Sequence, residues 1–293
     1  MNAIAIRDLV KSYGKQRAVD DLTLEVDEGS VYGLLGPNGS GKSTTFKCLL
    51  GLARPDAGEL AVCGSPVTPA TFEYLSFVPE RATLCDWMNG ADHLEAARRA
   101  YAHYDEARAA ELVAIFKLDL KKRVRKLSKG QQTALALVLA FSIRPRVLVL
   151  DEPSSGLDPI YQRVVLDLII DAAAGGGTVV FSSHQIGQVE RAADRVGILS
   201  NGKLVLQGDL DTLKGNRKVV EAVFPGEAVA LGDLARDPRI EHITQNGRIV
   251  RAYLYRDPEA IVAAFNGLGA RSVTVFDLTL EDMFLDSVEK RGK

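Results

Sequence analysis

The residues best suited to chemistry are Gly36-Pro37-Asn38-Gly39-Ser40-Gly41-Lys42-Ser43, which fit G-x-x-x-x-G-K-[ST]. In that pattern the glycines let the backbone curl until its N–H groups point inward at phosphate oxygens. A helix opening directly after the loop, here from Thr44, adds its positive dipole end to the same anion. Lys42 would supply a mobile cation to the β- and γ-phosphates, and Ser43 a hydroxyl to Mg²⁺. Further along, the apolar run 147–150 ends in Asp151-Glu152. A carboxylate at the C-terminal end of a buried strand beside such a loop can hold Mg²⁺ through water. The neighbouring Glu152 is placed to orient or deprotonate an attacking water. Alone, the loop signifies only a phosphate binder.

The elements that must position these groups are legible in outline. Short alternating segments at 4–9, 22–26 and 31–35, separated by Asp, Gly and Lys, read as strands. The loop 36–43 leads into a helix over 44–52, and 59–63 and 74–78 read as further strands. From about 86 to 120 the composition turns to Ala, Leu, Glu and Arg at helical spacing, which predicts a helical insert. The uninterrupted apolar runs 147–150 and 178–181 read as buried parallel strands. Between them a helix over 160–174 ends at Gly175-Gly176-Gly177, which completes a βαβ unit. After about residue 216 the character changes again. Segments 239–244 and 248–255 read as a hairpin across Asn246-Gly247. A helix over 258–268, a strand over 272–276 and a helix over 280–288 follow.

Composition bounds the partners. Thirty-six basic and 38 acidic side chains give a formal charge of −2, without the basic excess of a nucleic-acid binder. The three scattered cysteines, Cys48, Cys63 and Cys85, form no C-x-x-C pair and suit a reducing compartment. The N-terminal stretch carries charge too early for a signal peptide. The densest apolar stretch, 134–141, is far shorter than the roughly 18–20 residues that span a bilayer. The chain is therefore expected in the cytoplasm, with any membrane role supplied by a partner. His93, His103 and His242 have no ligand-like spacing and read as structural or solvated. The basic run 121–126 reads as a solvated linker, with contact to a partner or a phosphate as the alternative.

Leu127-Ser128-Lys129-Gly130-Gln131-Gln132 lies just before a helical stretch and shortly upstream of Asp151. Here the sequence resembles the ATP-binding-cassette (ABC) family, whose signature reads LSGGQ. The resemblance covers about residues 1–214, with the landmarks in order. Tyr13 looks like the aromatic that stacks on adenine. The loop 36–43 and Asp151-Glu152 resemble the two Walker motifs. Ser155-Gly156-Leu157-Asp158 looks like the loop that signals across the dimer, and Ser183-His184 resembles the switch histidine that contacts the γ-phosphate. The implied catalytic set is Glu152, His184 and Lys42. The implied nucleotide set is Tyr13, Gly36, Pro37, Asn38, Gly39, Ser40, Gly41, Lys42, Ser43, Thr44, Glu80, Ser128, Gly130, Gln131 and Asp158. Ser43, Asp151 and Glu80 are the implied metal set, with ATP and Mg²⁺ as the ligands.

The implied fold is α/β: a P-loop NTPase core with an antiparallel β subdomain and a helical insert at about 86–140, together spanning 1–215. A small α+β accessory domain over 216–293 completes it. In the family the Ser128 corner faces the γ-phosphate held on another subunit, so ATP is sandwiched between two copies or between paralogues. The implied partners are that second subunit and separate transmembrane permease subunits, with the chain attached to the inner face of the cell membrane. The implied role is the ATP-hydrolysing subunit of a transporter, an exporter by likeness to bacterial Pro-Glu variants. The alternative is a soluble ABC protein acting on ribosomes or DNA. Such relatives commonly carry paired cassettes, zinc cysteines or a coiled coil, none of which the sequence shows. Two positions depart from the family pattern. Lys129 replaces the signature's second glycine, and either points away from the nucleotide or adds a cation near its phosphates. Glu80, in Phe77-Val78-Pro79-Glu80, replaces a glutamine; it can accept from water or reach Mg²⁺ but cannot donate as an amide does. Leu84, Trp87 and Met88 stand where the family receives a short helix from the membrane subunit, with burial in the core as the alternative.

Overall fold

A computed structural model describes residues 2–216, 218–226, 230–255 and 257–289. The chain divides into two compact units, Met1–Gln207 and Gly208–Lys293.

The first unit opens with three strands, β1 (Asn2–Tyr13), β2 (Gln16–Asp27) and β3 (Val31–Leu35), followed by helix α1 (Lys42–Leu49) and β4 (Ala57–Val62). Strands β2, β1 and β4 form an antiparallel sheet in that order. Alternate residues of β1 and β2, including Ile4, Ile6, Leu22, Leu24 and Val26, face inward and are fully buried with Phe46 and Leu49 of α1. This two-residue period is what a sheet with one buried face requires. Register shifts interrupt the β1–β2 pairing at several points, and both strands run well beyond the segments visible in the sequence.

The central sheet adds β5 (Leu75–Val78), β6 (Val147–Asp151), β7 (Thr178–Ser183), β8 (Arg195–Ser200) and β9 (Lys203–Asp209). Its order is β5-β6-β7-β3-β8-β9, with β5–β6, β6–β7, β7–β3 and β3–β8 parallel. Every residue of β3, β6 and β7 is buried, which accounts for the apolar runs 147–150 and 178–181. Between β5 and β6 the insert contributes α2 (Gly90–Ala100), α3 (Glu106–Ile115) and α4 (Lys129–Ser142). Asn89 and Asp92 form a capping box on α2, Asp105 caps α3, and Ser128 with Gln131 caps α4. Helices α5 (Pro159–Ala174) and α6 (Ile186–Ala192) connect the later strands. Asp158 caps α5, followed by Pro159 at the first helical position.

The second unit holds α7 (Leu210–Asn216), β10 (Lys218–Val223), β11 (Ile240–Asn246), β12 (Ile249–Leu254), α8 (Glu259–Gly267), β13 (Ser272–Asp277) and α9 (Leu280–Glu289). Its sheet, ordered β11-β12-β10-β13, is antiparallel throughout. The β11–β12 hairpin turns at Asn246-Gly247, with Gly247 at φ +57°, as its sequence predicts. Strand β10 was not among the sequence expectations, yet it is the centre of this sheet. Val220, Ala222 and Phe224 pack with Val250, Ala252, Leu254, Ile261 and Phe265 into a core of the unit's own.

Candidate functional site

The parallel register brings the chemically loaded residues to one edge. Val78 pairs with Leu150, Asp151 with Ser182, and Leu35 with Ser183, so β5, β6, β7 and β3 all end together. Glu80, Asp151-Glu152, Ser182-Ser183-His184 and the loop from Gly36 each follow one of those ends. A crevice outside the carboxyl ends of parallel strands is where open α/β sheets bind ligands.

The glycine loop is built for close approach. A β-carbon on Gly36 would lie 2.4 Å from the Ser40 hydroxyl and 2.5 Å from the Leu199 carbonyl. One on Gly41, at φ +111°, would meet the Ala18 carbonyl at 2.5 Å. Helix α1 starts without a side-chain cap and without an acidic residue in its first turn. Its first N–H groups therefore present a positive dipole end that no carboxylate of its own offsets. The Ser40 hydroxyl is buried without a hydrogen-bond partner. Orphaned buried donors around a curled backbone fit a bound phosphate chain.

Lys42 is buried, and its ammonium donates to the Gly36 carbonyl at 2.7 Å and the Pro37 carbonyl at 3.3 Å. It also stands 3.4 Å from Glu152 Oε1. That oxygen has no hydrogen-bond partner, so the Lys42 contact is one of charge. Glu152 Oε2 lies 2.8 Å from His184 Nδ1. The carboxylate thus spans a buried cation and a half-exposed imidazole. Its own backbone is in the left-handed region, at φ +50°. Such a conformation is strained for a residue with a side chain and persists only where the surroundings enforce it.

The enforcing group is Ser182, which the sequence reasoning did not single out. Its hydroxyl accepts from the Glu152 backbone N–H at 2.9 Å and donates to Asp151 Oδ1 at 2.7 Å. Gln188 adds a second brace, accepting from Ser154 at 2.8 Å and from Ser183 at 3.1 Å. The available clue was a pair of polar residues ending a buried apolar strand, which need partners there.

Ser40, Gly41, Lys42, Glu152 and His184 line a cleft of about 500 Å³ with Tyr13, Asn38, Gly39, Ser43, Thr44 and Glu80. Tyr13 is exposed at the tip of the β1–β2 hairpin, with the Lys11 ammonium 5.3 Å from its ring centroid. Asp56 fixes that tip by accepting from Lys11 at 3.0 Å and from the Ser12 N–H at 2.6 Å. The Lys11 hydrogen bond is the main reason the Asp56 carboxyl is held below the usual aspartate range.

Six of the expected nucleotide contacts, Gly36, Pro37, Ser128, Gly130, Gln131 and Asp158, do not line this cleft, nor does Asp151 of the expected metal set. Ser128 and Gln131 are committed to the capping box of α4, with Ser128 Oγ accepting from the Gln131 N–H at 3.3 Å. Asp158 Oδ1 accepts from the Ile160 and Tyr161 N–H groups at 3.0 Å each. A β-carbon on Gly130 would sit 2.8 Å from the Gly156 carbonyl, so the signature packs directly on the 155–158 loop.

A family profile described as "ABC transporter" matches residues 19–155. The Nod factor export ATP-binding protein I of Burkholderia orbicola is 33% identical over 96% of this chain and 95% of its own length. The chain belongs to the family of ABC transporter ATP-binding proteins. The daunorubicin resistance ATP-binding protein DrrA3 of Streptomyces coeruleorubidus is also 33% identical, over 98% of this chain and 94% of its own length. A solved ATP-binding subunit of an ABC transporter is 30% identical over 73% of this chain and 92% of its own, with a TM-score of 0.66. This ABC ATPase thus binds and hydrolyses ATP on the P-loop cassette fold that its sequence implies. Among the described residues, no helix of the ABC ATPase is long and apolar enough to cross a membrane.

Proposed function

We propose that this ABC ATPase drives an exporter by closing on a second ATP-binding subunit around ATP, with Glu152 as the general base. The observation that carries the reading is the placement of Glu152 between Lys42 and His184 on the wall of the cleft. In this reading Tyr13 stacks on the adenine. Loop N–H groups and Lys42 bind the phosphates, while His184 contacts the γ-phosphate and keeps Glu152 in register. Glu152 takes the proton of the water whose oxygen attacks the γ-phosphorus, and ADP and phosphate leave. Ser43, Asp151 and Glu80 form a hard-oxygen donor set that suits Mg²⁺. Those three residues would hold the metal, which would supply charge neutralisation at the phosphates, and Ser182 fixes the Asp151 carboxylate by donating to its Oδ1 at 2.7 Å.

Ser128, Gly130 and the start of α4 lie outside the cleft and are open to a second subunit's nucleotide; Asp158 belongs to the loop packed against them. A groove of about 370 Å³ lined by Phe77, Pro79, Leu84, Ala97, Tyr101 and Leu139 suits a short apolar helix of a transmembrane permease subunit. Trp87, 71% exposed, lies three residues beyond Leu84 of that groove and would offer an aromatic contact outside it. That partner would place the protein on the cytoplasmic face of the membrane. The export and resistance names of the relatives support outward transport over action on ribosomes or DNA. The self-contained core of the second unit supports an accessory domain there.

The test is Glu152→Gln. It should bind Mg·ATP within about threefold of the parent, lose at least about 10²-fold in kcat, and accumulate as an ATP-bound dimer. Near-normal phosphate release would remove Glu152 from the base role. Co-purification with a polytopic membrane protein, against ribosomes or DNA, decides the partner.

A further inference from the structure

Glu80 and Lys129 depart from the family pattern in opposite electrical senses. One is a carboxylate in place of a neutral amide, the other an ammonium in place of a glycine. They lie 49 positions apart in sequence, but the fold brings them to one place. Both line a cavity of about 350 Å³, together with Arg81, Ala82, Gln132 and Thr133. Glu80 also lines the nucleotide cleft, so it forms the wall that the two cavities share. Lys129 opens α4, and its Cδ, Cγ and Cε stand 3.7, 3.8 and 4.0 Å from where a β-carbon on Gly156 would be. Its stem therefore runs over the 155–158 loop of the same chain. Among the described residues, neither side chain is engaged in an ion pair.

A carboxylate in the wall of a cleft that receives a triphosphate adds negative charge where the ligand already carries several. A cation across one small cavity lies within a Debye length, so salt leaves part of the attraction in place, although both side chains are exposed and water weakens it. We propose that Lys129 is a positioning residue for Glu80 of the same chain, its ammonium balancing the extra carboxylate and holding it at the nucleotide site. This rests on the reading that Glu80 works in that site. It gives the lysine of the signature a role within its own subunit, separate from any contact with a partner's phosphates.

A double-mutant cycle tests the pair, read by equilibrium binding of Mg·ADP to the full chain and by the KM and kcat of ATP hydrolysis against Mg²⁺ concentration. Mg·ADP lacks the γ-phosphate that the signature of a second subunit would face, so its affinity reports the effect within one chain. Lys129→Gln should weaken Mg·ADP binding and raise KM by about three- to fivefold while moving kcat less, with Lys129→Arg within about twofold of the parent. Placed on Glu80→Gln, the same Lys129→Gln change should shift neither quantity by more than about twofold. A Lys129→Gln effect of equal size in both backgrounds overturns the pairing, as does an unaltered Lys129→Gln protein. Coupling of Glu80→Gln with Arg81→Gln instead would name the wrong cation. A Glu80→Gln protein matching the parent in KM, kcat and Mg²⁺ dependence removes Glu80 from the site, and the pair with it.

Discussion

Ser182→Ala is the substitution whose cost the structure specifies most fully. It deletes one hydroxyl that is buried and doubly engaged, with Asp151 Oδ1 at 2.7 Å and the Glu152 N–H at 2.9 Å. Stranding the buried N–H costs about 1–3 kcal/mol, and the lost bond to a carboxylate about 1.5–3 kcal/mol. The two losses share one site and are not additive, so about 3 kcal/mol is expected. For a unit of this size each kcal/mol lowers Tm by roughly 2–4 °C, which gives about 6–12 °C by calorimetry. The same bond holds the Glu152 backbone in its left-handed conformation. A misplacement of order 1 Å at a reacting group costs on the order of 100-fold, so kcat should fall by about 10- to 100-fold. Ser182→Thr, which keeps a hydroxyl, should recover part of both losses. A Ser182→Ala protein with Tm within about 1 °C and an unchanged kcat would refute the claim that this hydroxyl orients the catalytic strand end.

Other perturbations separate stability from chemistry. His184→Ala removes a half-exposed ring whose one described hydrogen bond is the 2.8 Å contact to Glu152. It should leave Tm nearly unchanged while phosphate release falls by about 10²-fold. Gly130→Ala drives a β-carbon to 2.8 Å from the Gly156 carbonyl, a backbone atom that yields little. It should lower stability by about 1–3 kcal/mol, read by thermal unfolding. Acid should act through depressed carboxyls. Arg98 holds Glu95 at about 2, with Arg99 assisting, and Arg239 holds Asp237 at about 2. Such groups contribute stability that is fully present above their unfolded pKa values and lost as pH falls through the folded ones. Tm should therefore stay flat down to about pH 5 and decline from about pH 4 towards 2; a decline already complete at pH 5 would assign acid sensitivity elsewhere.

The parts of the fold legible in the sequence are those whose burial is complete or whose geometry is local. Strands β6 and β7 are buried on both faces and were legible as the apolar runs 147–150 and 178–181, while the equally buried β3 read as a short alternating segment. The glycine loop and the Asn246-Gly247 hairpin announce themselves because their backbone conformations demand particular residues. Strand β10 was missed because its partners, β12 and β13, arrive some 26 or more residues later and its six residues carry no turn of their own. Strands β8 and β9 carried a readable cue, Asn201-Gly202, both at positive φ. In the candidate site, Lys42, Asp151 and Glu152 were identifiable by type and spacing, and His184 only through the family resemblance. Ser182 was not, because its importance lies in two contacts across to a neighbouring strand. The meeting of Glu80 with Lys129 was illegible for the same reason: it exists only after the insert has folded against the sheet end.

The capped signature and the catalytic strand end are mechanically continuous within one chain. From Glu152 the backbone passes at once into a tight turn, with the Ser155 N–H donating to the Glu152 carbonyl at 2.9 Å and the Leu157 N–H to the Ser154 carbonyl at 3.2 Å. The carbonyl of Gly156 then occupies the space where Gly130 lacks a side chain. Close-packed interiors transmit displacement because they have little free volume to absorb it. A ligand that pulls on the Ser128 corner therefore strains the turn that orients Glu152. Conversely, loss of contacts around Glu152 loosens the seat of the signature. Two ends of one chain joined by so short a path can bias each other without any large change of fold.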